Sequence, residues 1–203
     1  MYQTDFYRCD DREKIGFFIR NCPFAVISHD GKGSGHFAYL PLTVADWTAE
    51  RQTLFGHIDN ENPFLADLEG GTGAVHAVFQ GPNEYISPND YVSDQLPTWN
   101  YSVAHVSGVM RLVTDEVQKM SLMENLVNSL EQGQRHSFQF DRADKKIKHL
   151  MTRITFFVIE VTGVRAVFKY SQDKQREDML AARENLLRKL NEKNRYVLTR
   201  IVE

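Results

Sequence analysis

The sequence predicts a mainly β protein with flanking helices, a small antiparallel barrel with its helices packed outside. Three observations carry that expectation. Apolar and polar residues alternate through many short segments. Glycine-rich turns separate those segments. The regular helix insertions that a parallel doubly wound sheet requires are missing. At 203 residues the chain matches one domain, since domains average roughly 150 residues. A hydrophobic content of 42% and a charged content of 25% are those of an ordinary globular chain, long enough to bury a core without disulfide or metal staples.

The elements follow in order. A first helix is expected over about 10–22: Asp10 with Glu13 resembles a capping box, Ile15, Phe18, Ile19 and Cys22 repeat at helical spacing, and Pro23 ends it. The period then shortens to two. Strands are expected at 24–29 and 36–42, joined by the turn Asp30-Gly31-Lys32-Gly33-Ser34-Gly35, and a third at 53–58. Asn62 and Pro63 open a short helix with Phe64, Leu65 and Leu68 on its apolar side, stopped by Gly70 and Gly71. A strand at 74–80 precedes a loop punctuated by Gly81-Pro82 and Ser87-Pro88.

The clearest strand is 103–113, with Ala104, Val106, Met110 and Leu112 on one face and His105, Ser107 and Arg111 on the other. A helix over about 115–132 follows, with Val117, Met120, Met123, Val127 and Leu130 inward and Gly133 as its stop. Residues 154–161 read as a central strand and 166–170 as another after a turn at Gly163. A last helix is expected over about 173–190, with Met179, Leu186, Leu187 and Leu190 on one side. No internal repeat or low-complexity linker divides the chain, so a single domain over 1–203 is expected.

Several function classes lack their signatures. No run of about 18 apolar residues spans a membrane. Met1-Tyr2-Gln3-Thr4-Asp5 lacks the basic start and apolar stretch of a signal peptide, so a cytoplasmic protein is expected. Cys9 and Cys22 make neither a disulfide framework nor a four-ligand zinc site, and are read as idle thiols. The formal charge of −3 argues against a general nucleic-acid coat. Gly31 to Gly35 lacks the Lys-Ser/Thr ending of a phosphate loop, and Ser34 lacks nucleophile-elbow spacing. His29, His36, His57, His76, His105, His136 and His149 pair with no other His or Cys at metal-ligand spacing, so no metal site is expected. Arg142, Lys145, Lys146, Lys148 and Arg153 form one basic segment, which reads either as a phosphate-backbone contact or as a solvated helix face.

The informative stretches are Val78-Phe79-Gln80-Gly81-Pro82-Asn83-Glu84-Tyr85-Ile86-Ser87-Pro88 and Leu96-Pro97-Thr98-Trp99-Asn100-Tyr101. Trp, Asn and Tyr together offer flat apolar faces with polar handles, which suits a planar heteroaromatic ligand; the same corner can also plug the end of a barrel. With His105-Val106-Ser107-Gly108, Leu40-Pro41-Leu42, Gly56-His57, Asn62-Pro63 and Lys169-Tyr170-Ser171-Gln172-Asp173-Lys174, these motifs resemble the PaiB family of FMN-binding negative transcriptional regulators, in family order along nearly the whole chain.

The resemblance implies a split β-barrel of the pyridoxamine-phosphate-oxidase-like, FMN-binding type, paired as a homodimer with FMN at the subunit interface. The candidate cofactor residues are His57, Asn60, Asn62, Gln80, Trp99, Asn100, Tyr101, Lys169, Ser171 and Gln172. Backbone N–H groups at the start of the Asn62 helix are expected to meet the phosphate. Trp99 and Tyr101 are expected to frame the ring and Gln80 and Asn100 to bond its edge, with Lys169, Ser171 and Gln172 closing the site. Where the family reads Gly-His-Leu-Ala-Arg-Ala-Asn-Pro, this chain has Asn60 for the arginine, between Asp59 and Glu61; Tyr39 and Asn83-Glu84 also depart from the family pattern. The function expected is that of an FMN-binding regulator, with DNA contacted through the Arg142–Arg153 segment. The alternatives are a flavin-dependent oxidoreductase, with His57 and His105 as proton-transfer candidates, and a barrel holding another planar ligand such as heme.

Overall fold

Residues 5–29, 37–132 and 134–202 are described by the structure, a computed structural model. The expected turn at residues 30–35 and the helix stop at Gly133 lie outside the described residues. The order is β1 (Arg8–Cys9), α1 (Arg12–Asn21), β2 (Phe24–His29), β3 (Phe37–Pro41), β4 (Thr43–Trp47), β5 (Gln52–Asp59), 3-10 turns at Pro63–Asp67 and Glu69–Gly71, β6 (Thr72–Ile86), a 3-10 turn at Pro88–Asp90, β7 (Thr98–Leu112), α2 (Glu116–Glu131), α3 (Lys145–Met151), β8 (Ile154–Lys169), α4 (Arg176–Lys189) and α5 (Glu192–Val202). The strands form one sheet in the order β3-β2-β6-β7-β8-β5-β4, with β1 on β8. Among the described residues no helix is long and apolar enough to cross a membrane.

The contacts group the chain into two units, one of Met1–Cys22, Val78–His105 and Val164–Glu203, the other of Pro23–Ala77 and Val106–Gly163. In the first, α1 is capped by Asp11 rather than Asp10: the Asp11 carboxylate accepts from the Glu13 and Lys14 N–H groups at 2.9 and 3.1 Å. Asp10 is taken instead by Arg8, whose Nε donates to both of its oxygens at 2.9 and 2.7 Å. The helix buries Ile15, Phe18 and Ile19, and the Phe18 ring lies 5.1 Å from that of Phe168. Its other side meets α5, where Phe17 and Tyr196 rings stand 5.7 Å apart edge to face. The sequence reading did not expect α5. Its start is signalled by Asn191, whose side-chain oxygen accepts from the Asn194 N–H at 2.8 Å, and it buries Val197, Leu198 and Ile201.

Gly81-Pro82, expected in a loop, lies inside the fifteen-residue β6. Tertiary contacts override the turn propensity. A Cβ at Gly81 would stand 2.3 Å from Phe18 Cε2 and 2.7 Å from Ser102 Oγ, and the Pro82 carbonyl accepts from the Tyr170 and Ser102 hydroxyls at 2.8 and 3.2 Å. In the same way β7 begins at Thr98, so Trp99-Asn100-Tyr101 is strand rather than a corner before one. No turn occurs at Gly163: β8 continues for sixteen residues, held by β5 along Ile154–Glu160 and by β1 at Ala166 and Val167.

In the second unit β4, also unexpected, pairs antiparallel with β5, with a register shift between Val44 and Asp46. The core gathers Phe55, Val113, Leu122, Met123, Leu126, Met151, Ile154 and Phe156. The helix expected from about 115 is α2, and Asp115 caps it, accepting from the Gln118 N–H at 2.7 Å. Its buried stripe is Leu122, Met123 and Leu126, whereas the expected inward residues Val117 and Leu130 are exposed. Val117 lies about 140° round the helix from Leu122, and Leu130 belongs to the final turn. The short helix after Asn62 is a five-residue 3-10 turn, and Gly70 and Gly71 end the segment at φ of 61° and 75°.

Substituting Gly81→Ala forces a methyl group into the Phe18 ring, which is fully buried. A loss of about 1–3 kcal/mol in unfolding free energy is expected, measured by urea denaturation; an unchanged midpoint would show that α1 yields freely at this contact.

Candidate functional site

Alternation along β7 divides the Trp-Asn-Tyr motif between two faces. Trp99 and Tyr101 point one way, Thr98 and Asn100 the other. On the first face Trp99 is 51% exposed and Tyr85 43%. Their rings are 6.3 Å apart and tilted, and Trp99 Nε1 donates to Asn83 Oδ1 at 3.4 Å. Tyr101 is half-buried and Gln80 exposed. The first unit therefore presents an open aromatic surface bordered by carboxamides.

Asn100 does not share that surface. It is 1% exposed, and its Nδ2 donates to Ser171 Oγ at 3.1 Å. The Tyr91 hydroxyl meets the same Ser171 oxygen at 3.1 Å. Ser171 is held at a φ of 60°, a left-handed conformation that a residue with a side chain seldom adopts. Gln172 braces the adjoining turn, its Oε1 accepting from the Tyr170 N–H at 2.6 Å and its Nε2 donating to the Phe168 carbonyl. Lys169 Nζ donates to Thr98 Oγ1 at 2.5 Å and to the Trp99 carbonyl at 3.0 Å, and sits 5.8 Å from the centre of the Tyr7 ring. Burial pushes its pKa down, opposed by the charge of Asp173. Lys169, Ser171 and Thr98 line a cavity of about 530 Å³ together with Tyr7, Tyr91 and Leu96.

One wall of this cavity is tied down by Asp178 of α4. Its carboxylate accepts from the Val92 and Ser93 N–H groups at 2.8 and 2.9 Å, from Ser93 Oγ at 2.5 Å and from Gln95 Nε2 at 3.0 Å. These bonds, led by that of the Ser93 hydroxyl, hold the carboxyl below the usual carboxylate range. Sequence reasoning missed Tyr7, Tyr91 and Asp178. Asp178 left a signal: with Ala182 and Leu186 it falls on the buried stripe of α4, where a carboxylate needs donors.

The remaining expected residues belong to the second unit. His57 is half-buried against Phe156, with rings 5.5 Å apart; burial pushes its pKa down, and its Nδ1 meets no hydrogen-bond partner among the described residues. Asn60 is held at both ends, donating to the Thr152 carbonyl at 2.9 Å and accepting from the Thr155 hydroxyl at 2.8 Å. Asn62 caps the 3-10 turn by accepting from the Phe64 N–H at 3.0 Å. A turn this short carries little dipole, and Asn62 occupies one of its few N–H groups, so the phosphate role drawn for it gains no support. In the basic segment Asp144 caps α3, Lys145, Lys146 and Lys148 are exposed, and Arg142 pairs with Glu124. Burial pushes the Cys22 thiol up to about 11 and raises that of Cys9, so neither is an activated nucleophile.

The mainly antiparallel sheet with flanking helices is a split β-barrel fold. The FAD and heme binding protein of Mycobacterium smegmatis shares the fold at a TM-score of 0.61 and 11% identity, over 87% of this chain and 80% of that one. The flavocytochrome Anf3 of Azotobacter vinelandii shares it at a TM-score of 0.58 and 13% identity, over 83% and 72%. Residues 1–163 match the profile described as "Putative FMN-binding domain", and the chain belongs to that family. It is also similar to the protease synthase and sporulation protein PAI 2 of Bacillus subtilis (strain 168), with 27% identity over 190 residues, 92% of this chain and 89% of that protein.

A carboxylate whose pKa is depressed by folding contributes stability above its ordinary value of about 3.9 and loses it as the pH falls through the folded-state value. Asp178→Asn should therefore lower the urea midpoint at neutral pH and shrink the difference between melts at pH 7 and in acid. An identical acid profile in the two proteins would remove Asp178 as a contributor.

Proposed function

We propose that the protein is a flavin-binding split-barrel regulator of the PaiB kind, acting as a homodimer. The observation that carries this reading is the open aromatic face of Tyr85, Trp99 and Tyr101, on a chain that belongs to an FMN-binding family. An isoalloxazine needs a flat apolar surface and hydrogen-bonding groups at its edge. Trp99 provides the surface and Gln80 and Asn83 the edge groups, so the residues of this face fit the ring. Flavin, when bound, supplies a redox-active chromophore; the chain's own residues bind and orient it. Asn100, on the far side of β7, and Lys169, Ser171 and Gln172, at the end of β8 and in the turn after it, support this face from behind.

Pairing is supported by β2 and β3, where Phe24, Phe37 and Tyr39 are each more than 60% exposed on one face. Apolar surface of that kind is seldom left open to water. The regulatory role rests on similarity to PaiB proteins and on the exposed lysines of α3.

Titration with FMN, followed by flavin absorbance and fluorescence, tests the cofactor. Saturable binding is expected, weakened about tenfold or more in Trp99→Ala, which corresponds to roughly 1.4 kcal/mol. Unchanged affinity moves the ring elsewhere, and no binding ends the reading. Sedimentation should show a dimer that Tyr39→Asp weakens. DNA retention, if it runs through Lys145, Lys146 and Lys148, should fall steeply with salt; retention indifferent to salt, or absent at low salt, removes that role.

A further inference from the structure

We infer that the cavity behind β7 receives a small neutral aromatic molecule, its ring lying against Tyr7, Tyr91 and Leu96. This goes beyond the flavin reading and does not depend on it. The cavity lies on the face of β7 that carries Thr98, opposite Trp99 and Tyr101.

Three observations support the inference. The first is the apolar lining. At about 530 Å³ the space falls within the range of small-molecule pockets. Tyr7 and Tyr91 form buried walls, with Phe6, Leu96 and Pro97 beside them. Phe6 is 66% exposed and Leu96 83%. Large apolar side chains standing in water around a concave space gain from a ring that covers them.

The second is charge. The ionic groups of the wall are already engaged. Asp173 lies 3.3 Å from Lys174. Lys169 donates to Thr98 Oγ1 and to the Trp99 carbonyl, stands over the Tyr7 ring and also feels Asp173. A charged ligand would give up its hydration to meet groups that have partners, whereas a neutral ring gives up little. The cavity therefore selects against charge of either sign.

The third is rigidity. Ser171 keeps its left-handed backbone because Asn100, Tyr91 and the Lys174 N–H, which donates to its carbonyl at 3.0 Å, all fix it. Strain held in place by a dedicated network beside a cavity is characteristic of ligand sites. Asp178 pins residues 92–95, which lead into Leu96-Pro97 of the wall, so Leu96 is held in the open on a fixed support. A pocket organised before the ligand arrives spends little binding energy on ordering itself.

The exposed leucine makes the site readable, because the ring current of a bound aromatic displaces the Leu96 methyl resonances. The full-length protein is titrated without flavin, using benzyl alcohol, and benzoate, benzylamine and glycerol for comparison. Benzyl alcohol should shift the Leu96 methyls saturably, with a Kd on the order of 1 mM, and raise the melting temperature. Benzoate and benzylamine present the same ring with a charge and should each bind about tenfold more weakly or worse. Glycerol should not bind.

Phe6→Ala and Leu96→Ala change exposed side chains and leave the core intact; together they should weaken benzyl alcohol about fivefold or more, measured by calorimetry. Saturating FMN should leave the benzyl alcohol Kd unchanged, since the aromatic face and the cavity lie on opposite sides of β7. The inference is overturned by benzoate or benzylamine binding as tightly as benzyl alcohol, by full affinity in the double variant, by displacement of benzyl alcohol with FMN, or by neither a methyl shift nor a melting change up to about 10 mM ligand.

Discussion

The buried carboxamide of Asn100 helps decide which side chains β7 turns outward. A polar group at 1% exposure is costly unless it is bonded, and Ser171 provides the bond. With Ala104, Val106 and Met110 buried on the same face, that bond opposes a slip of β7 by one residue, which would carry Asn100 outward and drive Trp99 into the interior. The open aromatic face and the cavity behind it therefore have one cause, read on alternate residues of the same strand. The cost appears at Ser171, which accepts a left-handed backbone in order to offer its hydroxyl to Asn100 and Tyr91.

Around this junction the first unit is organised by hydrogen bonds to buried or half-buried polar groups as much as by apolar packing. The Tyr170 hydroxyl reaches the Pro82 carbonyl, Gln172 closes its own turn, and Asp178 gathers four donors from residues 92–95. Apart from the local Gln172 bonds, these join segments distant in sequence, so β6, β7 and the turn after β8 cannot shift independently. Lys169 belongs to the same scheme: it ties the end of β8 to Thr98 and the Trp99 carbonyl. The second unit differs in kind, with α2 laying Leu122, Met123 and Leu126 over Phe55 and Phe156.

Much of the fold was legible in the residues. The strand alternation at 103–113, the helix over about 115–132 and the Asn62-Pro63 start all depend on local chemistry, and the structure reproduces them. What failed to be legible was non-local. Gly81-Pro82 and Gly163 carry turn chemistry, yet both lie within strands, Gly81 packed against the Phe18 ring and Gly163 in a strand paired on either side of it with β5 and β1. Asp10 looked like the better cap until Arg8 claimed it. Val117 and Leu130 fit a helical repeat, but burial follows where the helix meets the sheet.

For the site the division is similar. The sequence alone singled out Trp99, Asn100, Tyr101 and the Lys169–Lys174 motif as candidates, since their family resemblance and side-chain chemistry are properties of the residues themselves. Tertiary structure decided which of them act together. It set Trp99 and Tyr101 on one face and Asn100 with Ser171 on the other, and it brought Tyr7, Tyr91 and Asp178 to the cavity from distant positions. Spacing along a chain describes only neighbours in sequence, whereas a buried polar atom takes its partner from whatever the packed sheet places within about 3 Å of it.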